Sequence, residues 1–202
     1  MDLFKEQKIP MSLSDGRLGY LRFWPNWMPL EEADLLLARA IKQTPWRHDS
    51  IRMMGRKIPI PRLQNWFGAP GTSYTYSNIR LEALEFPPWM ERLRRSIEIQ
   101  TNSEFNRALV NYYRDGNDSV DWHADDEASL GNEPIIASFS LGVERKFDLR
   151  HNLTGQRVSL NLPHGSLLLM GPGLQSFWKH RIPKSRNLSD ARVNFTFRYM
   201  RT

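Results

Sequence analysis

The stretch that decides the fold is RVNFTFRYM, residues 192–200, near the end of the chain. Its apolar and polar residues alternate. Val193, Phe195, Phe197 and Tyr199 fall on one face of a strand, and Arg192, Asn194, Thr196 and Arg198 on the other. Two arrangements fit this pattern. One is an edge strand with a solvated polar face. The other is an inner strand of a barrel whose polar face points at an anion, because a buried pair of guanidiniums is costly without negative charge. A small dicarboxylate would supply that charge. Asn111 and Tyr113, also two residues apart, repeat the device in a second segment.

Working outward, short strands are expected from about residue 105 onward: ALVNYYR, IIASFSLG, KFDLRH, RVSLNL, GSLLLM and QSFWKH. The turn signals LTGQ, LPHG and GPG separate them. Upstream, PLEEADLLLARAIKQ (29–43) is expected to be a helix. Pro29 suits its start, Glu31 and Glu32 favour its first turn, and Leu30, Ala33, Leu37, Ala40 and Ile41 share a face. PWMERLRRSIEIQ (88–100) is expected to be another, with Trp89, Leu93 and Ile97 in register. Helices followed by many short strands predict a mainly β protein of the α+β class, a β-sandwich or a jelly-roll barrel with N-terminal helices packed outside.

The composition limits the chemistry. The chain has 202 residues, 40% of them hydrophobic, which suits one folded domain. It has no cysteine, so disulfides, thiolate metal sites and Cys nucleophiles are excluded. The net charge is +6, with Arg far outnumbering Lys. That favours polyanion partners, since Arg forks onto phosphate, though a GC-rich gene would enrich Arg as well. We find no apolar run long enough to span a membrane and no signal peptide at the start of the sequence.

The chemistry-bearing motif is NYYRDGNDSVDWHADDE, residues 111–127. In an extended segment His123 and Asp125 face the same way, so one ion could reach both. Alone, such a pair is common by chance. His180, in FWKHRIP, completes two imidazoles and one carboxylate, the facial triad of non-haem iron oxygenases. A zinc site of His and carboxylate fits the same ligand count. His48, His151 and His164 lack companions at ligand spacing and read as structural or exposed. RLRRS (92–96) reads as a solvated helix face, and Trp24, Trp27, Trp46 and Trp66 as core anchors.

Taken together, N-x-Y, H-x-D-D-E, the later His and R-V-N-x-T-F-R resemble the AlkB family of Fe(II)/2-oxoglutarate-dependent dioxygenases. Within it, they most resemble the branch that repairs duplex DNA. The resemblance covers roughly residues 50–200 and implies a double-stranded β-helix. It implies that His123, Asp125 and His180 are the catalytic metal ligands for Fe(II), with 2-oxoglutarate as co-substrate. Arg192 would pair with the distal carboxylate of 2-oxoglutarate, helped by Tyr113 and Asn194. Asn111 and Arg198 would lie near its metal-proximal carboxylate, Arg198 also steadying Asp125, and Thr196 would line the pocket. Glu127 would meet the damaged base, while Asp126 is left open, its plainer reading a solvated or loop-capping carboxylate.

The implied activity is direct reversal of N-alkylation in DNA, for example of 1-methyladenine and 3-methylcytosine, releasing succinate, carbon dioxide and formaldehyde. The same chemistry on RNA is one alternative and a non-catalytic lesion-binding module another. A jelly-roll hydrolase would not need Arg192 and Arg198 together. An alkylated Watson–Crick edge must be flipped out or already single-stranded. Tyr74 and Tyr76, in SYTYSN, match the family's base-pocket aromatics. RMMGRKIPIPR (52–62) is expected to be a hairpin with Gly55 near its tip. Met53 and Met54 would be its apolar wedges, and Arg52, Arg56, Lys57 and Arg62 its phosphate-holding cations. Met54 replaces an aromatic typical of the duplex branch.

We therefore expect one dioxygenase domain over 1–202. It comprises a helical extension (1–50), recognition hairpins with a support helix (51–104) and a catalytic core (105–202). The expected partner is alkylated DNA, single- or double-stranded, with RNA the alternative. We expect a monomer with no membrane contact, in the cytoplasm or, in a eukaryote, the nucleus.

Overall fold

The computed structural model describes residues 5–53, 56–69, 73–76 and 79–201, with 52–53, 73–76 and 79–81 described through their backbone. Met54 and Gly55 lie outside the described residues. The strand formed by RVNFTFR, β15 (Arg192–Arg198), is central rather than an edge. It pairs antiparallel with β10 (Ile136–Gly142) on one side and β8 (Arg107–Tyr113) on the other. All its residues are buried, which a solvated polar face would not allow. Tyr199, expected to share the apolar face, lies past the strand's end and is exposed.

Beyond β10 the sheet continues through β13 (Ser166–Met170), β2 (Leu18–Trp24) and β1 (Gln7–Ser12). Beyond β8 it ends at β5 (Leu63–Gly68), giving seven strands. A four-stranded sheet faces it, in the order β12 (Arg157–Leu162), β11 (Arg145–His151), β14 (Trp178–Ile182) and β9 (Val120–His123). Its pairs are antiparallel as well. This is the expected jelly-roll, mainly antiparallel β with helices outside.

Alternation along the strands builds two main cores, with a smaller cluster of Ile60, Trp66 and Leu109 beside them. Val193, Phe195 and Phe197 join Ala137, Phe139 and Leu141 of β10 on the outer face of the large sheet. Two helices cover that face. Helix α1 (Leu30–Gln43) buries Ala33 and Ala40, and helix α2 (Pro88–Thr101) buries Trp89, Met90, Leu93 and Ile97. Pro88 occupies the first helical turn, where no intrahelical N–H is needed, and Asn102 closes the helix in the left-handed region at φ 52°. Leu30, expected on the buried face, is 65% exposed at the first position of α1. The second core lies between the sheets and unites Leu168 and Met170 with Phe147, Leu149, Trp178 and Ile182.

Three differences from expectation concern the N-terminal half and the approach to β14. Residues 1–50 are not wholly a helical extension, because β1 and β2 form a hairpin that extends the large sheet along β13. β5 adds its far edge. QSFWKH is not one strand: a short helix α3 (Leu174–Phe177) precedes β14. The hairpin at 52–62 forms from β3 (Ser50–Met53) and β4 (Arg56–Pro59). A second hairpin pairs β6 (Ser73–Tyr76) with β7 (Ile79–Glu82). Trp24 and Trp66 are buried as anchors, with Trp27 and Trp46 packed at the core's margin. Among the described residues, no helix is long and apolar enough to cross a membrane.

Candidate active site

The pairing of β9 with β14 sets His123 directly opposite His180, with ring centroids 4.3 Å apart. Asp125 follows two residues after His123, just past the end of β9. One ligand atom from each of the three lies within 4.8 Å of the others, so the trio could hold a metal ion. Neighbours fix Asp125 and His123. The backbone N–H of Asp125 donates to Gln175 Oε1 at 2.9 Å, and its Oδ1 accepts from Arg198 Nη2 at 2.8 Å. Its Oδ2 is buried with no hydrogen-bond partner. His123 Nδ1 lies 2.8 Å from the Asp121 carbonyl. A carbonyl only accepts, so Nδ1 carries the proton and Nε2 keeps the lone pair that a metal needs.

The electrostatics agree. Burial pushes the His180 imidazole down to about 3, assisted by His123 and opposed by Asp125. His180 is therefore neutral, as a ligand must be. Burial works against ionising Asp125, but Arg198, with the two imidazoles, outweighs it and holds the carboxyl below its ordinary range.

The wall opposite is the polar face of the large sheet. Register aligns its rungs: Tyr113 with Arg192, Asn111 with Asn194 and then Ser140, Leu109 with Thr196 and then Ser138. Arg192 is 1% exposed. Its Nη2 donates to Ser140 Oγ at 2.9 Å, while Nε and Nη1 have no acceptor. Burial pushes its pKa down to about 10, so it still carries its charge at neutral pH. The Tyr113 ring lies 5.1 Å from this guanidinium and 5.6 Å from that of Arg145. Asn194 is tied to Ser138 Oγ and the Phe139 carbonyl, and Thr196 donates to Asn194 Oδ1. Metal cup and cationic wall line one cleft of about 550 Å³ of empty space, its open mouth included.

The cleft thus brings together Asn111, Tyr113, His123, Asp125, His180, Arg192, Asn194, Thr196 and Arg198. Arg62 joins them, contrary to expectation. It is not a hairpin cation at the surface but is buried, its Nε donating to Asn111 Oδ1 at 2.9 Å. The reason is position: it precedes β5, at the edge of the large sheet, rather than lying within β4. Glu127 is half-buried two residues after Asp125. Tyr74 and Tyr76 pair through the backbone with Leu81 and Ile79, and Met53 with Arg56. Asp126 is exposed. His151 and His164 serve the scaffold, accepting backbone N–H groups from Leu153, Thr154 and Gly142.

Sequence reasoning missed Ser138, Ser140, Gln175 and Arg145. The two serines were legible, since they alternate with Ala137, Phe139 and Leu141 in a strand that had been recognised. Gln175 carried no signal, because its role depends on α3 turning it toward Asp125. Arg145 is buried and donates to the carbonyls of Asp115, Asp118 and Pro183.

The pattern of the 2OG-Fe(II) oxygenase superfamily matches residues 20–198. The alpha-ketoglutarate-dependent dioxygenase alkB homolog 3 of Mus musculus is 38% identical over 206 residues, spanning 96% of this chain and 71% of that protein. The DNA oxidative demethylase ALKBH2 of Arabidopsis thaliana is 34% identical over 210 residues, spanning 91% and 67%. Among solved structures, that of OsALKBH1 shares the fold with a TM-score of 0.64 at 15% identity, over 96% of this chain and all of that one. The buried Asp125 oxygen without a hydrogen-bond partner, beside two imidazoles, suits Fe(II), and the two Arg192 nitrogens that lack acceptors suit a dicarboxylate. With that chemistry, this sequence similarity and the superfamily match, the chain belongs to the AlkB-type dioxygenases of the 2OG-Fe(II) oxygenase superfamily, which require Fe(II) and 2-oxoglutarate.

Proposed function

We propose that the chain oxidatively removes N-linked alkyl groups from nucleobases in DNA, such as 1-methyladenine and 3-methylcytosine. It would consume dioxygen and 2-oxoglutarate and release succinate, carbon dioxide and formaldehyde. One observation carries this reading. A cup of two imidazoles and a carboxylate opens into the same cleft as Arg192, a buried guanidinium with two N–H nitrogens lacking acceptors. The names of relatives, DNA oxidative demethylase among them, support DNA as the substrate. The net charge of +6 suits a polyanion.

On this reading His123, Asp125 and His180 would hold Fe(II), which when bound supplies the oxidising power drawn from dioxygen and 2-oxoglutarate. The chain's own residues do the rest. Arg192 grips the distal carboxylate of 2-oxoglutarate, with Tyr113 beside it. Asn194 and Thr196 shape that pocket, while Asn111 and Arg198 face the other carboxylate. Arg198 uses one N–H to hold Asp125 in place. Glu127 meets the exocyclic amino group or cationic ring of the base. Tyr74 and Tyr76 would serve the base pocket, and Met53, Met54 and Gly55 would act on the strand from which the base comes.

The test incubates the protein with Fe(II), 2-oxoglutarate and methylated oligonucleotides, DNA and RNA, single- and double-stranded. Restored bases in DNA with matching succinate and formaldehyde are expected. Restoration in RNA alone would move the substrate to RNA, and lesion binding without turnover would make this a recognition module.

A further inference from the structure

Arg107 is a buried cation that the chemistry above does not use. It opens β8 and shares one rung of the large sheet with Arg198 on β15 and Gly68 on β5. It lies an even number of residues from Asn111 and Tyr113, so it belongs to the same face, the one that lines the cleft. Its side chain crosses the sheet over Gly68: a Cβ at that position would run into Arg107 Cδ, with Nε and Cζ just behind. The residue is 4% exposed. Nη1 donates to the Asn106 carbonyl at 2.7 Å, but Nε has no acceptor. Burial holds its pKa below the ordinary value, and no neighbouring carboxylate offsets that. Arg192, which also lacks acceptors, is already assigned to 2-oxoglutarate, and three other guanidiniums of this region have partners within the protein. Arg198 has Asp125, Arg145 has three carbonyls, and Arg62 has Asn111 and the Ser119 carbonyl.

A buried guanidinium whose Nε lacks an acceptor and that faces no anion marks an anion site. We infer that Arg107 binds a phosphodiester of the nucleic-acid strand beside the nucleotide whose base enters the cleft. The inference rests on the proposed nucleic-acid substrate and adds a contact to it. Placement argues for phosphate. The reacting edge of a base must reach the His123–Asp125–His180 cup, which Arg198 abuts. Arg107 stands one strand from Arg198, and its guanidinium reaches on over Gly68 on the next strand, ~10 Å out by ordinary strand spacing. Sugar and phosphate trail away from the base in that order. Gly68 is the last residue of β5, so this guanidinium lies where the chain leaves the sheet for the β6–β7 hairpin that carries Tyr74 and Tyr76. A guanidinium fork matches a phosphate's paired oxygens and is indifferent to sequence.

The experiment measures binding of short single-stranded DNA carrying one 1-methyladenine, by fluorescence anisotropy, with wild type, Arg107→Met and Gly68→Ala. Gly68→Ala displaces the guanidinium while keeping its charge. Each strand is either fully phosphodiester or carries one neutral methylphosphonate, scanned along the linkages around the lesion. Wild type should lose roughly tenfold in affinity when the gripped linkage is neutral. Both variants should bind the all-phosphodiester strand that much more weakly and be indifferent to that substitution. The salt slope of log Kd should fall by about 0.7 in Arg107→Met. Equal further losses in wild type and both variants at every linkage would overturn the assignment and leave Arg107 a scaffold residue. Failure of wild type to bind the all-phosphodiester strand would overturn the nucleic-acid reading with it. Intact coupling without demethylation would overturn only the proposed reaction. Arg107→Lys, which keeps charge but loses the fork, should recover part of the coupling.

Discussion

At the scale of single residues, the cleft is a set of buried polar groups, some of them missing a partner. Arg192 has two such nitrogens and Asp125 one oxygen. Arg192→Met should therefore raise the KM for 2-oxoglutarate roughly ten- to a hundredfold, the loss of a charged hydrogen-bond anchor, and leave the KM for the oligonucleotide little changed. Steady-state kinetics with each substrate varied will show it, and an unchanged 2-oxoglutarate KM would remove Arg192 from its role. A pH dependence follows from His180. Its ring takes a proton near 6.5 in the unfolded chain but only near 3 in the metal-free fold. Between those values the unfolded state binds more protons, so stability falls as pH falls. Asp125, whose pKa is depressed, adds a loss in the same direction at lower pH. Calorimetry of metal-free protein from pH 7 to 4 should show a falling Tm, with a shallower fall in His180→Asn. Equal slopes would contradict the burial argument. These residues were legible because a ligand set and an alternating polar strand constrain chemistry directly. Gln175 was not, because only the turn of α3 brings it to Asp125.

At the scale of elements, β15 carries the design. Its odd positions pack on the helices and its even positions face the cleft, so a slip of one residue would exchange the two. Phe195→Ala should cost about 3–5 kcal/mol, measured by chemical denaturation, because the side chain is fully buried among Trp89, Phe139 and Phe197. At the end of β10, Gly142 sits opposite Arg192 with φ +91°, and a Cβ there would collide with the Ala191 carbonyl. Gly142→Ala should cost about 1–3 kcal/mol and raise the 2-oxoglutarate KM by shifting the start of β15. A stability loss with no kinetic change would separate the turn from the pocket. Both long helices and most strands after residue 105 were readable from period and turn signals; β9 was not among the expected strands. β1, β2 and β5 were not readable either. QKIPMS carries a proline on an edge strand, and LQNWFG lacks clean alternation, so tertiary pairing rather than local pattern makes them strands.

At the scale of the molecule, two sheets whose strands interleave along the chain make one site: the small sheet supplies the imidazoles and the large sheet the guanidiniums. Ligands that bind only this assembled arrangement should stabilise the whole fold. Saturation to a hundred times Kd contributes about 2.7 kcal/mol, and at this size each kcal/mol moves Tm by about 2–4 °C. The general architecture was legible because helix and strand signals separate along the sequence. The recruitment of residues 7–24 into the large sheet was not, since it depends on the exposed edge of β13. The most direct test of the convergence is an anaerobic calorimetric titration, Fe(II) first and 2-oxoglutarate second, on wild type, Asp125→Ala and Arg192→Met. The account predicts one Fe(II) per wild-type chain, followed by 2-oxoglutarate binding that needs the iron. Asp125→Ala should lose the iron step, and Arg192→Met should keep it while losing most of the second. Undiminished Fe(II) affinity in Asp125→Ala, or 2-oxoglutarate binding in Arg192→Met as tight as in wild type, would contradict it.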